Sequence, residues 1–432
     1  MSEHIIKNFE NLAQSDLRRA ALALMEVAYA AIDTQKVVGR TVQIAGDVLT
    51  INGIERHLAP DGRLFFIGVG KCAADGALAI EEVCGDRLTG GIALDVHIAP
   101  TCLATLKRIE CFSGTHPSPS EANVEATKHI LALLSGMTDK DTVIMLISGG
   151  GSTLLCSPVF GTCTDEIMLL KQLFNVGATI QEINTVRKHA SLARGGNLAK
   201  AAFPAQVVSM IFSDVPGNDL EFISSGPTVR DTTTVADATA ILEKYKIVLD
   251  ARMLIETPKE AQYFEKVANT LVVSNIHALE AMKTEAQRQG FNTNIVTDIL
   301  TGEASLVGHD IVNTLHTLPP KTAYLYGGET TVTITGGTGK GGREQEMALA
   351  GLTDIRDGEL LVPFASDGWD NTENAGGVCD TITKDAAVKA GISVEEYLSQ
   401  HRSFDFFEAT GNAIKTGETG ANVSDLIIAL KA

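Results

Sequence analysis

Residues 142–151 read TVIMLISGGG: six β-branched or apolar residues in a row, then Ser148 and three glycines, with no charge in the ten. A run this short and this uniformly apolar predicts a strand buried on both faces, and its glycine end predicts a loop. Upstream, RLFFIGVG (63–70) has the same form, and downstream QVVSMIFSDV (206–215) nearly repeats it. Between and around them lie strand-like GGIALDVHI (90–98) and the helix-period stretches NVEATKHILALLSG (123–136) and DEIMLLKQLFNVG (165–177). Strands alternating with helices imply parallel βαβ units, hence an α/β fold with a three-layer first domain. Ligands of such sheets bind beyond the carboxyl ends of the strands, which is where this chain keeps its glycines.

Further out, DLRRAALALMEVAYAAI (16–32) predicts a helix with a broad buried face. RTVQIAGDVLTINGI predicts a β-ribbon turning at Gly46-Asp47 and Asn52-Gly53. The polar, threonine-rich RDTTTVADATA (230–240) is taken as an inter-domain crossing, which divides the chain into 1–235 and 236–432. A second α/β set follows: TLVVSN (270–275), the helix AMKTEAQRQG, NTNIVT (292–297), AYLYGGETTVTITGG (323–337), LLVPFASDG (360–368) and DLIIAL (425–430). The glycine-broken 323–337 run is expected to be a hairpin or an interrupted strand, so the second sheet should be mixed.

Composition narrows the function. With 35 Lys+Arg against 53 Asp+Glu the formal charge is −18, which argues against nucleic acid or an anionic membrane as partner. Seven cysteines at irregular spacing, with no CxxC pair, read as buried reduced thiols rather than a metal site or disulfide framework. No signal peptide or membrane-spanning run is legible, so a cytoplasmic protein is expected. Glycine is in excess, 40 of 432 or about 9% against a usual 7% or so.

The glycines stand beside charges. Gly68-Val69-Gly70-Lys71-Cys72-Ala73 fits GxGxxA, with acidic Asp95 further on, the form of a dinucleotide-binding turn. Lys71 inside that turn points instead to a transferring phosphate or a carboxylate. Ser148-Gly149-Gly150-Gly151-Ser152 resembles an anion nest, with Ser152 able to cap the following helix. Asn184 to His189 and Arg194-Gly195-Gly196 add cations and another glycine pair, or are an ordinary basic helix face. Asp214 and Asp367 each end a buried strand, where a carboxylate can bind a metal, take a proton or make a helix cap or Asx-turn. Gly327-Gly328-Glu329 and the 336–343 segment GGTGKGGR place seven glycines near Lys340 and Arg343, a pattern suited to phosphate.

Together GVGK (68–71), HPSP (116–119), SGGGS (148–152), NTVRKHAS (184–191), RGG (194–196), SDVPG (213–217), SSGPT (224–228), GGETTV (327–332), GKGGREQE (339–346), SDG (366–368) and TGETGANVSDL (416–426) resemble, in order, the glycerate 2-kinase family with a C-terminal MOFRL domain, formerly often labelled hydroxypyruvate reductase. The resemblance covers the chain from about residue 20 onward. It implies two α/β domains around a cleft holding the active site, the first Rossmann-like, a MOFRL region at about 320–430, and transfer of the ATP γ-phosphoryl group to the 2-hydroxyl of D-glycerate with Mg²⁺. It carries over Lys71, Asp214 and Arg343 as catalytic residues, with Asp214 and Asp367 toward the metal. Gly70, Ser148 to Ser152, Asn184, Gly195, Gly196, Glu329, Gly341 and Gly342 become candidates for binding nucleotide or substrate. Arg187 and His116 are candidates for the glycerate carboxylate. A homodimer is left open. Three departures fall in the C-terminal part: Glu344 where the family usually has asparagine, Asp367 to Gly376 in place of DGxDGPTDAAG, and Glu418 in TGETGANV. Two of them add acid, so the acceptor is D-glycerate or a closely related small hydroxy acid. The rival reading from GxGxxA and Asp95 is an NAD(P)H-dependent hydroxypyruvate reductase.

Overall fold

The glycine-ended runs are strands, and they lie side by side. A computed structural model describes residues 4–215, 217–334, 336 and 339–432. The chain divides into two compact units, Thr34–Val272 and Met1–Asp33 with Val273–Ala432.

The first unit begins with β1 (Val42–Ala45), β2 (Val48–Ile51) and β3 (Ile54–His57), an antiparallel ribbon. Its Asn52-Gly53 turn has φ of 48° and 80°, the mirror-image turn that suits the right-handed twist of the flanking strands. The main sheet contains β4 (Leu64–Val69), β5 (Gly90–Asp95), β6 (Ile109–Ser113), β7 (Thr142–Ile147), β8 (Gln206–Phe212) and β9 (Val267–Val273), in the order β6-β5-β4-β7-β8-β9. The registered pairs from β6 across to β8 are all parallel. Numbered from one, that order is 3-2-1-4-5-6, the doubly wound arrangement whose winding reverses between the first and fourth strands. Both β4 and β7 are buried along their whole length, as uniform apolarity requires. Ile130 and Leu134 of the helix Glu121–Ser135 pack with Ile67, Val69, Met145 and Ile147 in this core.

Two features of this unit depart from the sequence reading. β6 was not foreseen; it is the edge strand, with Glu110 and Ser113 exposed, and its mixed composition gives no buried-strand signal. The 230–240 stretch is no crossing: Val235–Lys244 is a helix, and its Ala238 and Leu242 share a small core with Leu169, Leu173, Ile183 and Val186.

The second unit carries β10 (Asn292–Leu300), β11 (Thr322–Gly328), β12 (Glu359–Ala365), β13 (Gly376–Gly377), β14 (Ala413–Ile414) and β15 (Asp425–Lys431), in the order β10-β11-β15-β12-β13-β14. Only β10 and β11 pair in parallel, so the sheet is mixed. Among the described residues of 323–337 no hairpin forms. β11 stops at Gly328, where φ of 149° and the Leu300 backbone, 2.2 Å from where a Cβ would sit, leave room only for glycine. The chain then runs beside Gly302 and Glu303, which accept the Thr331 and Thr333 amides at 2.8 and 2.9 Å. Thr335, Gly337 and Thr338 of the glycine-rich segment lie outside the described residues, as does Pro216 of SDVPG.

The helix Asp16–Ile32 forms as its apolar period dictates, capped by the Ser15 side chain, but it belongs to the C-terminal unit. Arg18 explains why: fully buried, it pairs with Asp380 at 2.6 Å and bonds Asn412 and Thr383 at 2.8 and 2.9 Å. The units therefore part at 33/34 and 272/273, not at 235/236. All seven cysteines are free, and six are buried. Among the described residues no helix is long and apolar enough to cross a membrane.

Candidate active site

The loops after β4 and β7 meet at the winding reversal of the first sheet. Gly70, at φ 124°, lies so close to Ser148 that a Cβ would stand 2.0 Å from its Oγ. The Lys71 amide donates to the Gly149 carbonyl at 2.9 Å, tying one loop to the other. A Cβ at Gly150 would be 3.3 Å from Lys71 Cγ and 3.5 Å from the His116 ring; one at Gly149 would be 2.0 Å from Asp214 Oδ2. Lys71, His116 and Asp214 thus converge on the backbone of Gly149 and Gly150, and any larger residue there would push into them. No backbone acceptor among the described residues takes the amides of Gly149 and Gly150. Desolvation, then the charges of Lys71 and Arg187, hold the His116 imidazole below its ordinary value, which favours the neutral ring.

Other predicted residues build this loop rather than line it. Ser148 is buried, and its carbonyl accepts from Ser224 Oγ at 2.7 Å. Gly151 is pressed against Ser224. Ser152 is not a helix cap; it lies inside the single turn Gly151–Leu154, and its hydroxyl bonds that of Ser225 at 2.8 Å. Arg187 donates to the Ser152 carbonyl at 2.8 Å and faces Glu166 at 3.6 Å, while fully buried Arg194 pairs with the same Glu166 at 2.8 Å. Burial, then the neighbouring Arg194, lowers Arg187 to about 10. Asn184 donates to the Glu221 carbonyl at 3.2 Å. The amides of Gly195 and Gly196 are committed to the Ser225 and Gly226 carbonyls at 2.9 and 2.8 Å. The basic segment 184–196 is therefore mostly a scaffold behind the loop.

Asp95 has a structural task as well. Its carboxylate accepts the amides of Ala74, Val96 and His97, so it anchors the start of the helix Ala73–Cys84. Those bonds occupy the group that a dinucleotide ribose would need.

In the second unit the remaining candidates gather at one edge of the mixed sheet. β15 runs antiparallel to β11 and β12, so its first residue, Asp425, pairs in register with Gly328 and Ala365 at their carboxyl ends. Arg343, about one-third exposed, opens the helix Arg343–Gly351; its Nε and one terminal nitrogen bond Asp425, and the other faces Glu329 at 2.9 Å. The same helix N-terminus already holds an anion from the protein: Asp370 accepts the Glu344 and Gln345 amides at 3.2 and 2.8 Å. Gly341 and Gly342 are required by close approach, since Cβ atoms would lie 2.0 Å from Ser403 Oγ and 2.1 Å from Asp370 Oδ1. Asp367 is half-buried, and one of its oxygens accepts the Trp369 amide at 3.0 Å in an Asx-turn.

Asp425, Asp370 and Glu166 had no role in the sequence reading. Asp425 begins the apolar run DLIIAL and carries no signal of its own, because strand direction, which brings it to the carboxyl-end edge, is not written in a single strand.

Residues 20–256 match a domain of unknown function (DUF4147), and residues 322–425 match the MOFRL family. The chain is similar to a glycerate 2-kinase of Pyrococcus horikoshii, 37% identical over 96% of this chain and 97% of that one. It is also similar to an Agrobacterium vitis protein that carries the provisional name hydroxypyruvate reductase, 38% identical over 85% and 87%. The crystal structure of a glycerate kinase from Thermotoga maritima superposes with a TM-score of 0.85 at 31% identity, covering 96% of this chain and 99% of that one. With the doubly wound first sheet, the mixed second sheet and identity along nearly the whole length, the chain belongs to the glycerate 2-kinase family of MOFRL-containing kinases.

Proposed function

We propose that the protein transfers the γ-phosphoryl group of ATP to the 2-hydroxyl of D-glycerate, or of a closely related small hydroxy acid. The observation that carries this reading is the convergence of Lys71, His116 and Asp214 on the Gly149–Gly150 backbone at the winding reversal of a doubly wound sheet. Phosphoryl transfer asks mainly for positioning and charge neutralisation. Lys71 and Arg343 neutralise phosphate charge, the Gly149 and Gly150 amides bind phosphate oxygens, and Asp214 accepts the proton of the attacking hydroxyl. His116 orients the acceptor. Arg187 acts behind it, by fixing the Ser152 carbonyl.

No three His, Cys, Asp or Glu residues cluster to cage a metal among the described residues. Mg²⁺ bound chiefly by phosphate oxygens and water needs only one or two carboxylates, and Asp214 and Asp367 are the candidates. When bound, the ion offsets charge on the phosphates.

The test is ADP release over D-glycerate, L-glycerate and four-carbon sugar acids, with the position of the product phosphate read by NMR. We expect ADP release with D-glycerate and a 2-phosphate product, and a fall in kcat of roughly a hundredfold or more in Lys71→Ala with an unchanged melting temperature. NADH oxidation on hydroxypyruvate, without ADP release on any acid, would reverse the reading in favour of the reductase.

A further inference from the structure

The residue after Arg343 is in an unusual setting for a carboxylate. Glu344 is 0% exposed, and among the described residues no N–H or O–H reaches either of its carboxyl oxygens. The charged groups facing it are Asp425 from the start of β15, Asp370 from the turn after β12, and Arg343 beside it on the helix. Glu329, at the end of β11, faces Arg343 and bears on Asp425. One position further along the helix from Gln345, Glu346 is separately satisfied by His401 at 2.9 Å. Asp370 has its oxygens filled by the Glu344 and Gln345 amides and the Gln345 side chain, and Asp425 has both of its oxygens on Arg343. A dry carboxylate with no donor is strongly disfavoured, and two facing carboxylates can hydrogen-bond only when one of them carries a proton.

We propose that Glu344 is a positioning residue of this site: its carboxyl carries a proton that it donates to Asp425, so the two acids together present one negative charge to Arg343 and leave the guanidinium able to hold a phosphate. The proposal rests on the reading of Arg343 as a phosphate-binding cation.

The electrostatics agree with the geometry. Burial, then the Asp425 and Asp370 charges, push Glu344 well above the carboxylate range. Burial raises Asp425 to about 7 against the opposing pull of Arg343. The proton belongs to the pair rather than to either acid. Its loss at alkaline pH adds a second negative charge beside Arg343 and weakens the hold on phosphate. Affinity is therefore full on the acid side and declines toward alkaline pH.

Glu344→Gln keeps the shape and a donor but has no proton to lose; Glu344→Asn is a second, smaller variant should the first fold poorly. Difference infrared spectra of the full chain without nucleotide, recorded through a titration from about pH 6 to 9, should show a protonated-carboxyl band that fades with rising pH in the parent and is absent in Glu344→Gln. In parallel, KM for ATP should rise about tenfold over the same range in the parent, as expected for one added charge near a cation, and stay flat in the variant, with kcat much less affected. No such band in the parent, or the same alkaline rise in KM in Glu344→Gln, overturns the proposal. A band of the expected kind together with pH-independent ATP affinity overturns the link to Arg343. Arg343→Ala then locates the fault: unchanged ATP affinity in it means that the reading of Arg343 as a phosphate cation fails, whereas a loss of affinity means that only the coupling fails.

Discussion

Asp95 shows how one side chain can match a motif and serve another purpose. Its distance from the glycine turn suits a ribose-binding acid, yet three backbone amides hold its carboxylate inside the sheet edge. Burial outweighs those amides and raises it to about 6, against an unfolded value of about 3.9. For an acid raised in this way the folded state is favoured below about pH 4, and that contribution is lost as the pH climbs from about 4 to 6. A two-unit shift corresponds to about 3 kcal/mol. Asp95→Asn cannot titrate, so the stability of the parent relative to this variant should fall by about 2–3 kcal/mol between pH 4 and 7, measured by urea unfolding. A difference that grows with pH would show that the amides, not burial, govern this group. The residue scale was also the least legible from sequence: Lys71 was named for its place in a glycine turn and Asp214 for ending a buried strand, with the family likeness giving both a role, while Asp425 and Asp370 gave no signal apart from their neighbours.

Among the elements, the helix Val235–Lys244 marks the limit of composition-based reading. Its first residues are polar because Thr234 and Asp237 form a reciprocal cap, the usual way to satisfy the free amides of a helix start. The buried face is narrow, only Ala238 and Leu242, and so leaves a faint periodic trace. Leu242→Ala should destabilise the protein by about 2–4 kcal/mol in urea unfolding, because Leu242 fills a core shared with the helices Cys163–Asn175 and Ile180–His189. A surface linker would show almost no change. The buried strands stand at the opposite extreme: β4, β7 and β8 were legible to within a few residues, since a strand covered on both faces admits no polar residue to blur its edges.

For the whole molecule the informative fact is that the chain ends and the chain middle form different units. Residues 34–272 hold the doubly wound sheet, and the N-terminal helix joins the mixed-sheet unit through the Arg18–Asp380 pair. A fragment of residues 34–273 should unfold cooperatively and show no kinase activity, whereas one ending at 235 should not fold, because it loses β9 and most of the helix packed on Ile183 and Val186. Circular dichroism with thermal melting checks both, and a stable 1–235 fragment would restore the boundary drawn from composition.

By itself the amino-acid order determined the α/β class, the parallel βαβ character of the first unit, the glycine-ended strands and their family likeness, because apolar runs, helical periods and turn residues are local and additive along the chain. Tertiary structure alone decided which glycine amides are spent on the protein's own carbonyls, as at Gly195 and Gly196, and which find no backbone acceptor among the described residues, as at Gly149 and Gly150. It also decided that Asp370 answers the helix amides beside Arg343, and that Glu344 is closed in with Asp425. These outcomes depend on strand direction and on contacts between residues far apart in sequence, and no local pattern carries either.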